Sequence, residues 1–262
     1  MSAPMAARLG GRSGDFARWS AWRIRRVHAT LRAMSTPPLE ILYEDNHLLV
    51  VRKSAGALVQ GDRTGDPTLL DAAKAYLKEK YRKPGEVFLG IVHRLDRPVG
   101  GVLVFARTSK AASRLGEQFR SRAVDKVYWA VVEGAPEPPE GRMEDWLRRD
   151  HMRSRVSAPD APGAQHAALS YRSVESRGGW TLVEIRLETG RHHQIRVQFA
   201  SRGHPILGDR RYGSRDAVPS GHIALMARAL TLTHPTQGTR MTFTASLPED
   251  WPWSDMDNRV LI

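Results

Sequence analysis

The chain has 262 residues, enough to bury a sizeable core in one large domain or two small ones. It has no cysteine, which excludes disulfides and cysteine-ligated zinc, and no apolar run approaching the ~20 residues of a membrane helix. A net charge of +12 and a pI near 10.5 point to a polyanionic partner or an anionic membrane surface without saying which.

The charge is uneven along the chain. Residues 1–34 hold Arg8, Arg12, Arg18, Arg23, Arg25, Arg26 and Arg32 against the single acid Asp15. This Arg-rich extension reads as a disordered arm, or as sequence from an upstream start codon with Met34 opening the domain. An organelle-targeting segment ranks behind these, and a secretory apolar stretch is absent. Folded texture runs from 35 to 262, and a cytoplasmic location is the expectation.

Leu39–Tyr43 and His47–Arg52 read as strands around a Glu44-Asp45-Asn46 turn. After a Gly/Asp-rich loop at Gln60–Pro67, Thr68–Lys80 has helical apolar spacing, with Asp66 or Thr68 as N-cap candidate. Val87–Val92 and Val102–Ala106 are apolar strands separated by the polar loop His93–Gly101. Ser109–Arg120 is a helix capped by Ser109, and Lys126–Glu133 is a strand. Ala135–Gly141 is a surface loop, and residues 147–166 are polar, Arg-rich and irregular. Leu169–Val174 and Trp180–Leu187 form strands around Gly178-Gly179. His192–Arg202 is a helix closed by Gly203, and Ala229–Thr233 and Arg240–Ala245 are late strands. Strands outnumber helices and do not alternate with them. The fold class is therefore α+β, with a mostly antiparallel sheet and flanking helices.

Three stretches carry chemistry. In His93-Arg94-Leu95-Asp96-Arg97, a carboxylate stands in a tight loop between two apolar strands. Arg94 and Arg97 flank it, and neighbouring guanidinium groups favour a charged carboxyl; a structural ion pair is the plain alternative. Thr189-Gly190-Arg191-His192-His193-Gln194-Ile195-Arg196 joins a strand to a helix, a junction suited to phosphate. His204-Pro205-Ile206-Leu207-Gly208-Asp209 is a loop in which Asp209 can orient a neighbour. The histidines lack metal-ligand spacing, and no phosphate-cradling glycine loop, GxSxG or HExxH occurs.

Together these stretches resemble the RluA-type pseudouridine synthases. The resemblance rests on His93-Arg94-Leu95-Asp96 with Gly101, then Lys126-Val127-Tyr128 with Ala130, Val132 and Gly134. It continues with Thr189-Gly190-Arg191-X-His193-Gln194-Ile195-Arg196-Val197 and with His204 to Asp209 ending at Tyr212-Gly213. Last come His222-Ile223-Ala224-Leu225 with Leu232 and His234-Pro235. The order matches over Leu39 to Leu247. The chain departs from the family pattern at Val99-Gly100, where Thr-Ser is usual, at His192 for Thr and at Gln198 for His.

The resemblance implies a pseudouridine synthase domain over 35–262 without an S4 domain. It implies isomerisation of uridine in structured RNA, ribosomal or transfer, by a monomer using neither metal nor cofactor. Asp96 is implied as the catalytic residue. Arg196 would pair with it, Ile195 would pack beside the base, Tyr128 would stack on the uracil and Arg94 would enter the base stack or grip a phosphate. On their charge alone, Arg148, Arg149, Arg153, Arg155 and Arg191 are candidates for RNA backbone contacts. Two other classes compete: an RNA-binding protein without catalysis, and a nucleoside hydrolase, which needs a second carboxylate.

Overall fold

The computed structural model describes residues 37–256 except Arg63 and Pro219; the N-terminal arm expected over 1–34 lies outside the described residues. Eleven strands form one sheet in the order β1-β2-β4-β10-β5-β9-β8-β6-β7, with β3 on β4 and β11 on β10. The strands are β1 (Glu40–Glu44), β2 (Leu48–Lys53), β3 (Gly90–Ile91), β4 (Gly100–Ala106), β5 (Asp125–Glu133) and β6 (Glu140–Asp150). They continue with β7 (Arg153–Ser157), β8 (Gln165–Arg177), β9 (Trp180–Leu187), β10 (Leu225–Thr233) and β11 (Arg240–Thr244). Among these described strands only the β4–β10 pair runs parallel. The α+β, mostly antiparallel reading therefore holds.

Side-chain alternation along β5 separates two cores. Val127, Trp129 and Val131 face the layer that includes Ala111 and Leu115 of helix α2 (Ser109–Arg120). Tyr128, Ala130 and Val132 face the layer built with α1 (Leu69–Lys80) and α3 (Gln194–Ala200). The second layer carries the Asp96 loop, through Leu95 and Val99.

Local chemistry sets the helix starts. Thr68 caps α1 by accepting from Asp71 N at 3.1 Å and donating to Asp71 Oδ2 at 2.6 Å. Helix α2 is capped by Thr108, not Ser109: Thr108 is extended and its hydroxyl accepts from Ala111 N, which leaves Ser109 as the first helical residue. Helix α3 starts two residues later than expected. His193 takes the left-handed conformation at φ 56°, while Gln194 Oε1 accepts from Arg191 N at 3.0 Å and Thr189 Oγ1 at 2.7 Å.

Two expectations need correction. The strand expected over Val87–Val92 shrinks to Gly90–Ile91, because β4 divides one edge between two partners. β3 pairs with Phe105 and Ala106, and β10 pairs with Gly100 and Gly101. Between them the Val104 N–H is left for the His93 ring, whose Nε2 accepts it at 3.1 Å. Residues 147–166 are not irregular either: β6 and β7 form a hairpin, and β6 also pairs with β8. Between 147 and 166 the buried positions are Leu147 and Ser154, so this stretch is held by ladder pairing more than by apolar content of its own.

Gly101 is required where β4 meets β10. Its φ is 118°, and a Cβ there would stand 2.2 Å from the Ala227 carbonyl oxygen. The close approach brings the start of β4 against β10 and fixes the end of the Asp96 loop.

Candidate active site

Asp96 projects from the loop between β3 and β4, with its side chain 31% exposed. The loop is clamped from beneath by Lys53, the last residue of β2, which is 1% exposed. Lys53 Nζ lies 2.7 Å from the Val99 carbonyl, 3.0 Å from Arg97 O, 3.1 Å from Asp96 O and 3.3 Å from Ser54 O. Burial pulls its ammonium down to about 7, with the Asp96 charge opposing the shift.

The carboxylate faces two groups of α3 and its cap. Arg196 Nη1 and His193 Nε2 each lie 3.4 Å from Asp96 Oδ2. Arg196 is itself gripped by Asp209, Nε to Oδ2 at 2.6 Å and Nη2 to Oδ1 at 2.9 Å. Both residues are buried, and the guanidinium lies 5.0 Å from the centre of the Tyr212 ring. Burial works against the cation, yet the bond to Asp209 and the charges of Asp209 and Asp96 raise Arg196 above its ordinary value. Asp209 thus orients a neighbour, and that neighbour is Arg196.

His193 is held neutral. Burial first, then the charge of Arg196, pushes its imidazolium down to about 2. The acceptor-only Asp96 carboxylate 3.4 Å from Nε2 favours the ring proton there, so that Nδ1 accepts from Tyr212 OH at 2.8 Å, whose oxygen in turn accepts from Ser154 N at 2.8 Å. The network leaves the ring proton on Nε2, toward Asp96.

Asp96, Arg94, Tyr128, Ile195, Arg196 and Arg191 all line one cavity of about 110 Å³. Burial, then the Asp96 charge, pushes the Tyr128 phenol up, so it is a neutral hydroxyl at physiological pH. A larger cavity of about 580 Å³ shares Asp96, Arg94, Tyr128 and Arg191 and adds Arg149, Lys126 and Arg122. Arg97 does not serve Asp96; it bonds Asp66 at 2.7 Å and the Gly56 carbonyl. Arg148, Arg153 and Arg155 are not brought to the cavities. In the β6–β7 register Arg148 stands opposite Arg155 and Arg153 opposite Asp150, on the hairpin face away from Arg149 and Ser154. Lys53, Lys126, Arg122 and Tyr212 join the site without having been singled out as site residues from the sequence.

The pattern that defines the RNA pseudouridylate synthase family matches residues 47–201, more than half of the chain. This chain belongs to that family. A ribosomal large subunit pseudouridine synthase D from Yersinia pestis is 37% identical over 227 residues, covering 81% of this chain and 68% of that protein. The protein of the same name from Zymomonas mobilis is 36% identical over 224 residues, covering 81% and 70%. Among solved structures, human RNA pseudouridylate synthase domain containing 4 superimposes with a TM-score of 0.69 at 27% identity, over 82% of this chain and 91% of that one. Its counterpart, domain containing 1, shares the fold with a TM-score of 0.62 at 24% identity, over 80% and 84%. The RluA-type resemblance and the pseudouridine synthase fold both stand. The chain is an RNA pseudouridine synthase, an isomerase acting on uridine in RNA.

Proposed function

We propose that Asp96 is the single carboxylate that acts on the ribose of a uridine extruded from ribosomal or transfer RNA. The observation that supports this most is the placement of Asp96: at the pocket wall, pinned through its backbone by Lys53 and faced by Arg196 and His193. A catalytic group held from both sides is a group whose geometry matters.

The reaction breaks C1′–N1 and makes C1′–C5. The hydrogen on C5 leaves and N1 gains one, so there is no net oxidation or hydrolysis. Uracil departs as a delocalised anion, which lessens the need for a second carboxylic acid. Asp96 serves either as the nucleophile at C1′ or as the base for the C2′ proton; both require its carboxylate at the sugar. Tyr128 and Ile195 line the space for the base, where an aromatic face suits an extruded uracil. With its phenol neutral, Tyr128 can take the C5 proton only by passing its own to a neighbouring base. Arg94, exposed at the rim, faces the RNA strand or fills the gap left by the base. The names of the bacterial relatives make large-subunit ribosomal RNA the first substrate to try.

The test compares wild type with Asp96→Asn on total RNA from cells lacking the protein, read by pseudouridine-specific chemical labelling and sequencing. Restoration of defined sites by wild type alone supports the proposal and names the target. RNA binding by both with no site restored would turn the proposal toward a non-catalytic role.

A further inference from the structure

Beside the uridine pocket, the larger cavity is lined by more cations than acids: Asp96 and Glu188 are its two carboxylates. Lys126 precedes Tyr128 by two on β5, so both side chains leave the same face about 7 Å apart. A Cβ on Gly190 would stand 3.7 Å from Lys126 Nζ, so the ammonium lies close over the Gly190 backbone. Arg191 lines the same cavity, its Nε fixed to the His166 carbonyl at 2.8 Å. Arg122 lines it from the end of α2. Among the described residues no acid forms an ion pair with Lys126, Arg122 or Arg191. The one glutamate of the lining, Glu188, is held by Arg142 at 2.8 and 2.9 Å. Burial, then repulsion from Arg122 and Arg191, lowers the Lys126 ammonium, as expected of clustered cations lacking a counterion.

Arg122 adds a second observation. Helix α2 ends with Ala123 N bonded to the Gln118 carbonyl at 2.9 Å, and Arg122 sits between them at φ 62°. That left-handed position is usually glycine, because a side chain there is strained. Arg122 takes this strained conformation on the cavity rim, and among the described residues no acid pairs with it.

We propose that Lys126, Arg122 and Arg191 form a subsite for one backbone phosphodiester of the RNA strand, next to the nucleotide whose uracil enters the Asp96 pocket. The subsite fixes the register of the strand and carries no base information. It rests on the reading of the protein as an RNA-modifying enzyme.

The experiment measures binding of a short uridine oligonucleotide to the full chain across a salt series, with thermal melting alongside. Lys126→Met and Arg122→Gly are compared with wild type. Arg122→Gly relieves the left-handed strain, so its melting temperature should equal or exceed wild type. Each variant should bind several-fold more weakly at low salt, with the slope of log affinity against log salt shallower by roughly 0.7–1. Unchanged affinity and slope in both folded variants, with wild type binding normally, would overturn the subsite and leave the enzyme reading standing. If wild type binds neither this oligonucleotide nor ribosomal RNA, the RNA reading fails and the subsite with it.

Discussion

Arg196 makes its closest contacts with Asp209, not with Asp96. The buried guanidinium lies 2.6 and 2.9 Å from Asp209 and 3.4 Å from Asp96. Asp209 therefore sets where Arg196 points, and Arg196 sets the field at Asp96. Asp209→Ala leaves a buried cation with one weak partner. We expect a loss of about 3–5 kcal/mol in denaturant unfolding, the usual cost of breaking a buried pair. The variant should also lose kcat when assayed below its melting range.

Lys53→Met tests the clamp beneath the loop. It keeps most of the side-chain bulk but removes the donors to four carbonyls. Below pH ~7, where Lys53 is an ammonium, stability should drop by roughly 2–3 kcal/mol, since such charge-assisted bonds are worth more than neutral ones. The larger effect should fall on kcat: an ångström of drift at Asp96 can cost about 100-fold. Wild-type kcat with the expected stability loss would show that the loop holds its shape without Lys53.

The neutrality of His193 has a pH signature. Its folded value is pushed down to about 2, against about 6.5 when unfolded. Between those values the unfolded chain binds the proton and the folded chain does not. Stability is therefore lost as pH falls below 6.5, by about 1.4 kcal/mol per unit from this group. His93, held down to about 3 by burial, acts in the same direction. Melting temperatures from pH ~7 to ~5 should fall more steeply for wild type than for His193→Gln. Parallel curves would mean that His193 is not buried in its neutral form.

Gly101→Ala tests the junction of β4 and β10. The added methyl would overlap the Ala227 carbonyl, and the backbone angle is wrong for alanine. A loss above about 2 kcal/mol is expected, measured by chemical denaturation. Near-wild-type stability would show that the two strands can separate without harm.

Much of the candidate site is legible in the sequence. Asp96 stood out because an acid between two apolar strands is unusual, and Tyr128 because it fell in a motif at family spacing. Lys53 was not readable. It looks like the polar end of a strand, and three of its four acceptors lie 43 to 46 residues away in sequence. Asp209 reads from the sequence as a loop acid able to orient a neighbour, but which neighbour is not legible, because the partner lies 13 residues back across a helix and a loop. The β6–β7 hairpin is not legible in the sequence because arginines occupy both of its faces. Its strands exist through pairing with each other and β8, not through an apolar stripe.

The central claim is that Asp96 does the chemistry of a uridine isomerase. The most direct test follows tritium released from C5 of uridine in large-subunit ribosomal RNA, with wild type and Asp96→Asn, each checked for folding and RNA binding. Replacing the C5 hydrogen by C1′ frees tritium to water, so wild type should release it with no free uracil. Asp96→Asn should bind RNA and release essentially none. Release by Asp96→Asn at the wild-type rate, or free uracil as the wild-type product, would contradict the account.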